Sequence, residues 1–371
     1  MLDLTLVAAT DARLPAEPAE VRHLIAGEWR GSADGATFER RSPAHGAVVT
    51  RAAKGGDAEA EAAIAAARAA FDDGRWSALS GKERSTLLLK VADLIDRDHE
   101  RIARVETLEA GKPISQARAE IEGAADLWRY AAALARTLSG DSHNSLGRDM
   151  LGLVLKEPIG VAAIITPWNF PFLIVSQKLP FALAAGCTAV VKPSEMTPST
   201  TVILGELLLE AGLPAGVCNI VLGYGDPVGA MMTTDPRVDM VTFTGSTGVG
   251  KAIVAAAAPT LKKVALELGG KNPQVIFPDA DLDSAVDAIA FGVYFNAGEC
   301  CNSGSRIIVH ADIAEEMTAR VVALSRKVAF GDPLNEATKV GAIVSPEHRA
   351  KIDGYVKGAV AAGATVRIGG A

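Results

Sequence analysis

With 371 residues, 49% of them apolar and 22% charged, the chain exceeds one ordinary domain and has length for a large core in two. Its formal net charge of −7 argues against a nucleic-acid partner, which needs a basic footprint. Four cysteines, Cys187, Cys218, Cys300 and Cys301, exclude a disulfide framework, and six scattered histidines show no metal-ligand spacing.

Leu4-Thr-Leu-Val-Ala-Ala9 is apolar but short and lacks a basic flank, so no signal peptide is expected. No apolar run approaches the roughly 20 residues of a membrane span. The adjacent thiols Cys300 and Cys301 close a disulfide only with strain, which fits a reducing, cytoplasmic compartment. Residues 24–52 carry strand-like pieces and turns. Helical periodicity follows over about 57–73, 81–110 and 114–138, with Ser80 placed as an N-cap and Gly111 as a stop. A polar, turn-rich stretch from Ser139 leads into Met150–Pro158, which reads as an extended strand or hairpin.

From residue 160 short apolar runs alternate with helices. Strands are expected at Val161–Ile165, Thr188–Val191, Asn219–Leu222, Met240–Thr242 and Lys263–Leu268, with helices at about 173–185, 198–211, 226–233 and 248–258. That alternation is the signature of an α/β fold whose parallel sheet is covered on both faces, with ligands beyond the strands' carboxyl ends. A second α/β series follows: Gln274–Phe277, a helix at about 282–295, Ile307–Val309 and a helix at about 312–330. It continues through Val340–Val344, a helix at about 346–362 and a strand-like piece from Thr365, where the second domain reads as incomplete.

Two glycine-rich turns each follow a strand. Gly245-Ser-Thr-Gly-Val-Gly-Lys251 fits the front half of a phosphate-binding P-loop, but Ala252 stands where the Mg²⁺-binding hydroxyl belongs. A nucleotide hydrolase and a plain packing turn are both readings of it. Gly225-Asp-Pro-Val-Gly229 is the second, and two such loops on one sheet favour a dinucleotide over a lone phosphate. Lys192-Pro-Ser-Glu195 follows another strand, where it reads either as an ordinary charged turn or as a ribose clamp. Cys300 and Cys301 lie in the polar, glycine-rich segment Phe295–Arg306, and Glu267 lies between an apolar run and Gly269-Gly270. A cysteine on a loop is a candidate nucleophile and a carboxylate at a strand end a candidate base, so covalent thiol chemistry is indicated.

Thr166-Pro-Trp-Asn169-Phe-Pro171, Lys192-Pro-Ser-Glu195, Phe243-Thr-Gly-Ser-Thr247, Glu267-Leu-Gly-Gly-Lys271 and Gly298-Glu-Cys-Cys301 occur in that order. Together they resemble the NAD(P)⁺-dependent aldehyde dehydrogenase superfamily, from about residue 24 to the end. The resemblance implies a Rossmann-like cofactor domain (1–138 and 159–268), an oligomerisation hairpin (139–158) and a catalytic domain (269–371), incomplete at its C-terminus. It implies Cys301 as nucleophile, Asn169 as oxyanion-binding amide and Glu267 as base for thioester hydrolysis. Glu267 in this setting separates hydrolytic members from those that pass the acyl group to coenzyme A. NAD would be held by Ile165, Thr166, Pro167, Trp168, Lys192, Ser194, Glu195, Gly225, Gly229, Phe243, Thr244, Gly245, Ser246, Val249, Leu268 and Gly269. Glu195 would disfavour the 2′-phosphate of NADP. Phe170, Ile174, Gln177, Phe295 and Cys300 match positions of the pocket for a small aldehyde, and Lys178 a supporting lysine. A homodimer or homotetramer is implied for the full-length form.

Family members continue through an E-x-F-G-P motif that holds the nicotinamide ribose and is absent from these residues. A truncated, non-catalytic protein that keeps nucleotide binding or a subunit interface is therefore the alternative. The 371 residues alone are expected to show exposed apolar surface, weak or absent activity and poor solubility.

Overall fold

The computed structural model describes residues 12–370, so Leu4–Ala9 lies outside the described residues. Seven strands form the central sheet, in the order Lys263–Leu268, Met240–Gly245, Val161–Ile165, Thr188–Lys192, Cys218–Ile220, His23–Ile25 and Glu28–Arg30. The first five run parallel, and the last two are added antiparallel. Central strands are buried along their whole length, and strict alternation assigns each residue a face. Ala162 and Ile164 pack with helices Gly81–Arg97 and Ile114–Ala135 on one side. Val161, Ala163 and Ile165 pack with helix Asp57–Asp72 on the other.

The N-terminal helices begin and end where their side chains dictate. Ser80 accepts the Glu83 N–H while the Glu83 carboxylate accepts the Ser80 N–H, a closed capping box. Gly111 ends helix His99–Ala110 at φ +80°. The expected helix over 81–110 is in fact two, because Asp98 leaves helical geometry and its carboxylate binds Arg97 and Arg101. The expected helix over 173–185 also divides, into Pro171–Ser176 and Leu179–Ala185. Pro180 has no N–H with which to continue the first. Over 226–233 the expected helix is a wide turn, Gly225–Gly229, interrupted by the extended Asp226, that runs into helix Ala230–Thr234.

Asp141–His143 pairs antiparallel with Gly152–Val154 in a hairpin whose Met150, Leu151, Leu153 and Leu155 are exposed. A smaller unit follows, in which Pro273–Ile276 and Arg306–Val309 form a two-stranded parallel sheet packed on helices Leu282–Tyr294 and Ala314–Ser325. The helix expected to reach 330 stops at Ser325. Val340–Val344 forms one bridge, Val340 to Phe330, and its other backbone groups are held from both units: Ala342 donates to the Gly111 carbonyl, Arg40 to the Val344 carbonyl, and the Val344 N–H to Glu299. Helix Pro346–Ala361 follows, but the strand expected from Thr365 is absent among the described residues, where 365–370 is irregular. Among the described residues no helix is long and apolar enough to cross a membrane.

Candidate active site

Apart from the cysteine loop, the sequence-selected residues gather at the carboxyl ends of the five parallel strands, as a parallel sheet requires of its ligand side. Beyond Ile165, the Thr166 N–H extends the ladder by bonding the Lys192 carbonyl. The chain then turns through Pro167, Trp168 and Asn169 into helix Pro171–Ser176, whose first position takes proline because that N–H has no helical partner. Phe170 is buried and stacks on Phe295 with ring centroids 6.0 Å apart, while Lys112 Nζ lies 4.4 Å from the Phe170 centroid. Trp168 meets the ring of His348 edge-on. Ile174 is buried, whereas Gln177 stands exposed at the helix end.

The cysteine loop begins where helix Leu282–Tyr294 ends. Asn296, Ala297 and Gly298 all take positive φ, at 49°, 55° and 76°, which reverses the chain sharply before Glu299. Asn169 Nδ2 donates to the Glu299 carbonyl at 2.8 Å, so the amide and the cysteine loop are joined directly. Cys301 is exposed. Cys300 is half-buried, its Sγ donates to Asn302 Oδ1 at 2.9 Å, and burial pushes its thiol pKa up. The two thiols therefore differ in access, Cys301 being the more exposed.

Glu267 is exposed near the end of strand Lys263–Leu268, paired with Thr244. Three residues on, Gly270 lies so near the Cys301 carbonyl that a Cβ there would sit 3.4 Å from it. Lys178 Nζ donates to Thr242 Oγ1 at 2.8 Å; burial lowers its pKa, and the nearby charge of Glu267 opposes that shift. Beneath the loop, the Glu299 side chain accepts the Val344 N–H at 3.1 Å. Burial pushes its carboxyl up to about 7, against the Val344 N–H and the charges of Lys112 and Arg40.

A second group sits on the neighbouring strand end. Lys192 is buried, and its Nζ donates to the carbonyls of Pro193 and Gly223 and lies 3.9 Å from Glu195. Burial lowers it to about 8, with Glu195 pulling the other way. Ser194 is buried and accepts the Met196 N–H. A Cβ on Gly229 would reach 3.7 Å from the Lys192 alkyl chain, and Gly225 is exposed at the start of the same turn. Phe243 folds its ring over Gly245, where a Cβ would come within 2.4 Å, so a larger residue there would require the ring to move. Ser246 caps helix Thr247–Ala257 by accepting the Val249 N–H, and Val249 itself is exposed. Leu268 packs against Gly250, and Gly269 is exposed. The hydroxyls of Thr166 and Thr244 are buried without a hydrogen-bond partner among the described residues.

Sequence reasoning missed two features. Lys112 is buried between Glu106 and Glu120, pairing with both, and Glu106 also accepts the Phe172 N–H. A lysine just after Gly111, with carboxylates on otherwise apolar helix faces, was the available signal. The other is Asn296, whose buried amide touches both Asn169 and Glu299. An asparagine at positive φ cannot be read from a glycine-rich loop.

The chain matches the model of the "Aldehyde dehydrogenase family" over residues 29–371. It is 42% identical to betaine aldehyde dehydrogenase of Bacillus subtilis (strain 168), covering 93% of this chain and 71% of that protein. It is 40% identical to 2-hydroxymuconic semialdehyde dehydrogenase of Pseudomonas sp. (strain CF600), covering 95% and 73%. Among solved structures, an NAD-dependent aldehyde dehydrogenase from Sinorhizobium meliloti superposes with a TM-score of 0.96 at 52% identity, covering 98% of this chain and 72% of that one. Betaine aldehyde dehydrogenase from Staphylococcus aureus in complex with NAD+ superposes with a TM-score of 0.93 at 41% identity, covering 94% and 69%. The chain belongs to the aldehyde dehydrogenase family.

Proposed function

We propose that the protein oxidises a small aldehyde to its carboxylic acid with NAD⁺, through a thioester on Cys301. The observation that carries this reading is the hydrogen bond from Asn169 Nδ2 to the Glu299 carbonyl, which fixes an amide donor against the loop that presents the exposed Cys301. The Cys301 thiolate attacks the aldehyde carbon, and the carbonyl π electrons move to oxygen as the C–S bond forms. The second N–H of Asn169 and the backbone N–H of Cys301 supply donors for that oxygen, a contribution of about 3–4 kcal/mol to such a step. When bound, NAD⁺ would supply the hydride acceptor for this carbon, which leaves a thioester on Cys301. Glu267 then takes a proton from water as the hydroxyl attacks the thioester carbon; the C–S bond breaks, and the acid leaves.

The residues present fit a dinucleotide. The Ser246-capped helix of 11 residues turns free N–H groups outward beside the unpartnered Thr244 hydroxyl. Glu195, beside Lys192, would accept both adenosine ribose hydroxyls and repel a 2′-phosphate, which favours NAD over NADP. Ile165, Thr166, Pro167, Trp168, Ser194, Gly225, Gly229, Phe243, Gly245, Val249, Leu268 and Gly269 would line that site. Phe170, Ile174, Phe295 and Cys300 would form the apolar wall of the aldehyde pocket, with Gln177 at its rim. We assign 1–138 and 159–268 to cofactor binding, 269–371 to catalysis and the exposed 139–158 hairpin to self-association. Two adjacent free thiols fit a cytoplasmic setting.

The test is NADH formation from a panel of aldehydes, measured against the Cys301→Ser protein as blank. Weak turnover above that blank, with NAD⁺ binding preserved in Cys301→Ser, is expected of these 371 residues. Equal rates in the two proteins would sink the reading.

A further inference from the structure

Asn296 has no part in the chemistry above, yet it occupies the most constrained position of the cysteine loop. Its side chain is buried, and it opens a run of three residues at positive φ, with Ala297 and Gly298. Left-handed geometry costs roughly 1–2 kcal/mol for a residue with a Cβ, least for asparagine, so the turn needs anchors. The Asn296 N–H bonds Gln116 Oε1 at 3.0 Å, and Gln116 Nε2 bonds the Lys339 carbonyl at 2.9 Å. The Asn296 carbonyl accepts the Glu299 N–H at 2.9 Å, closing the turn on itself. The side-chain amide then does something the turn does not need. Its Nδ2 donates to the Asn169 carbonyl at 2.8 Å and to the Glu299 carbonyl at 3.3 Å. The Glu299 carbonyl is the same oxygen that receives Asn169 Nδ2.

We propose that Asn296 is a positioning residue for the oxyanion site, a clamp that sets the distance between the Asn169 amide and the Cys301 backbone N–H. One amide group bridges the two chain segments that supply those donors, segments more than a hundred residues apart in sequence. The two donors act on one oxygen, so their spacing decides whether both reach it. A misplacement of about 1 Å costs on the order of 100-fold in rate. The proposal rests on the thioester chemistry assigned to Cys301.

An activated ester tests the clamp without cofactor or hydride transfer. With p-nitrophenyl acetate, Cys301 Sγ forms a bond to the acetyl carbon, the carbonyl electrons collect on oxygen, and their return expels p-nitrophenolate. Iodoacetamide alkylates the same sulfur by displacement of iodide and develops no oxyanion. Asn296→Gly keeps positive φ accessible and removes the amide; Asn296→Asp keeps shape and tolerance of positive φ but removes the N–H donor. In both, acylation is expected to slow about 10- to 100-fold. Alkylation is expected to stay within about threefold, since it reads only thiolate and access. In an Asn169→Ala background, Asn296→Gly is expected to slow acylation by less than about threefold further, because it acts through Asn169.

A parallel fall in acylation and alkylation would mean the loop has merely collapsed, and would overturn the proposal. So would unchanged acylation in Asn296→Gly, additive losses with Asn169→Ala, or no acylation of the wild-type protein. Intact ester results in a protein that oxidises no aldehyde would instead overturn the aldehyde reading and leave the clamp standing.

Discussion

At the scale of single residues, the adjacent cysteines differ in exposure, Cys301 being the more open. Cys300 is tied to Asn302 and held protonated by burial, so Cys300→Ser is expected to keep most activity that Cys301→Ser loses. Glu299, two residues before Cys301, makes a separate pH prediction. Its carboxyl titrates near 7 in the folded protein against 4.5 as a free side chain. Between those values the native state binds the extra proton, so the contribution of Glu299 to stability is fully present below pH 4.5 and is lost as pH rises through 7. The whole effect is about 3 kcal/mol. Thermal melts of Glu299→Gln from pH 5 to 8 are expected to lose this slope; an unchanged slope would assign it to another group. Lys112 makes a third prediction. Removing the one cation between Glu106 and Glu120 in Lys112→Met leaves two buried carboxyls facing each other, a loss of about 3–5 kcal/mol read by denaturant unfolding.

Local chemistry decides the elements wherever it is written in adjacent residues. Ser80→Ala opens the capping box of helix Gly81–Arg97 and is expected to cost about 1 kcal/mol in the same unfolding measurement. That cap, the Gly111 stop and the five parallel strands were legible because period, burial and terminator agree there. Asp98 broke an otherwise continuous helical pattern, and Pro180 another, and periodicity alone ranks such interruptions too low. Val340–Val344 read as a strand from its apolar residues, but long-range bonds from Arg40, Gly111 and Glu299 claimed its backbone groups. The residues proposed as nucleophile, oxyanion amide and base, Cys301, Asn169 and Glu267, stood in the sequence as motifs. Their supports, Asn296 and Glu106–Lys112–Glu120, were not, since each acts across distances that no local pattern encodes.

Across the whole molecule, the site depends on two units meeting. Arg40 donates to the carbonyls of both Glu109 and Val344, and Ile114 N–H bonds the Pro333 carbonyl, so the smaller unit is fastened to the helices that carry the larger. Apolar groups nevertheless remain uncovered, among them Leu151, Leu153 and Leu155 on the hairpin and Val275, Phe277 and Ile308 around the small sheet. If the hairpin is the self-association element, Leu153→Lys with Leu155→Lys is expected to lower the mass found by light scattering; an unchanged mass would place the interface elsewhere. The central claim is that Cys301 carries the acyl group and Glu267 releases it. Its most direct test is intact-protein and peptide mass spectrometry of Glu267→Gln mixed with aldehyde and NAD⁺. An acyl adduct accumulating on Cys301 is the predicted result, whereas no adduct, or one on Cys300, would contradict the account.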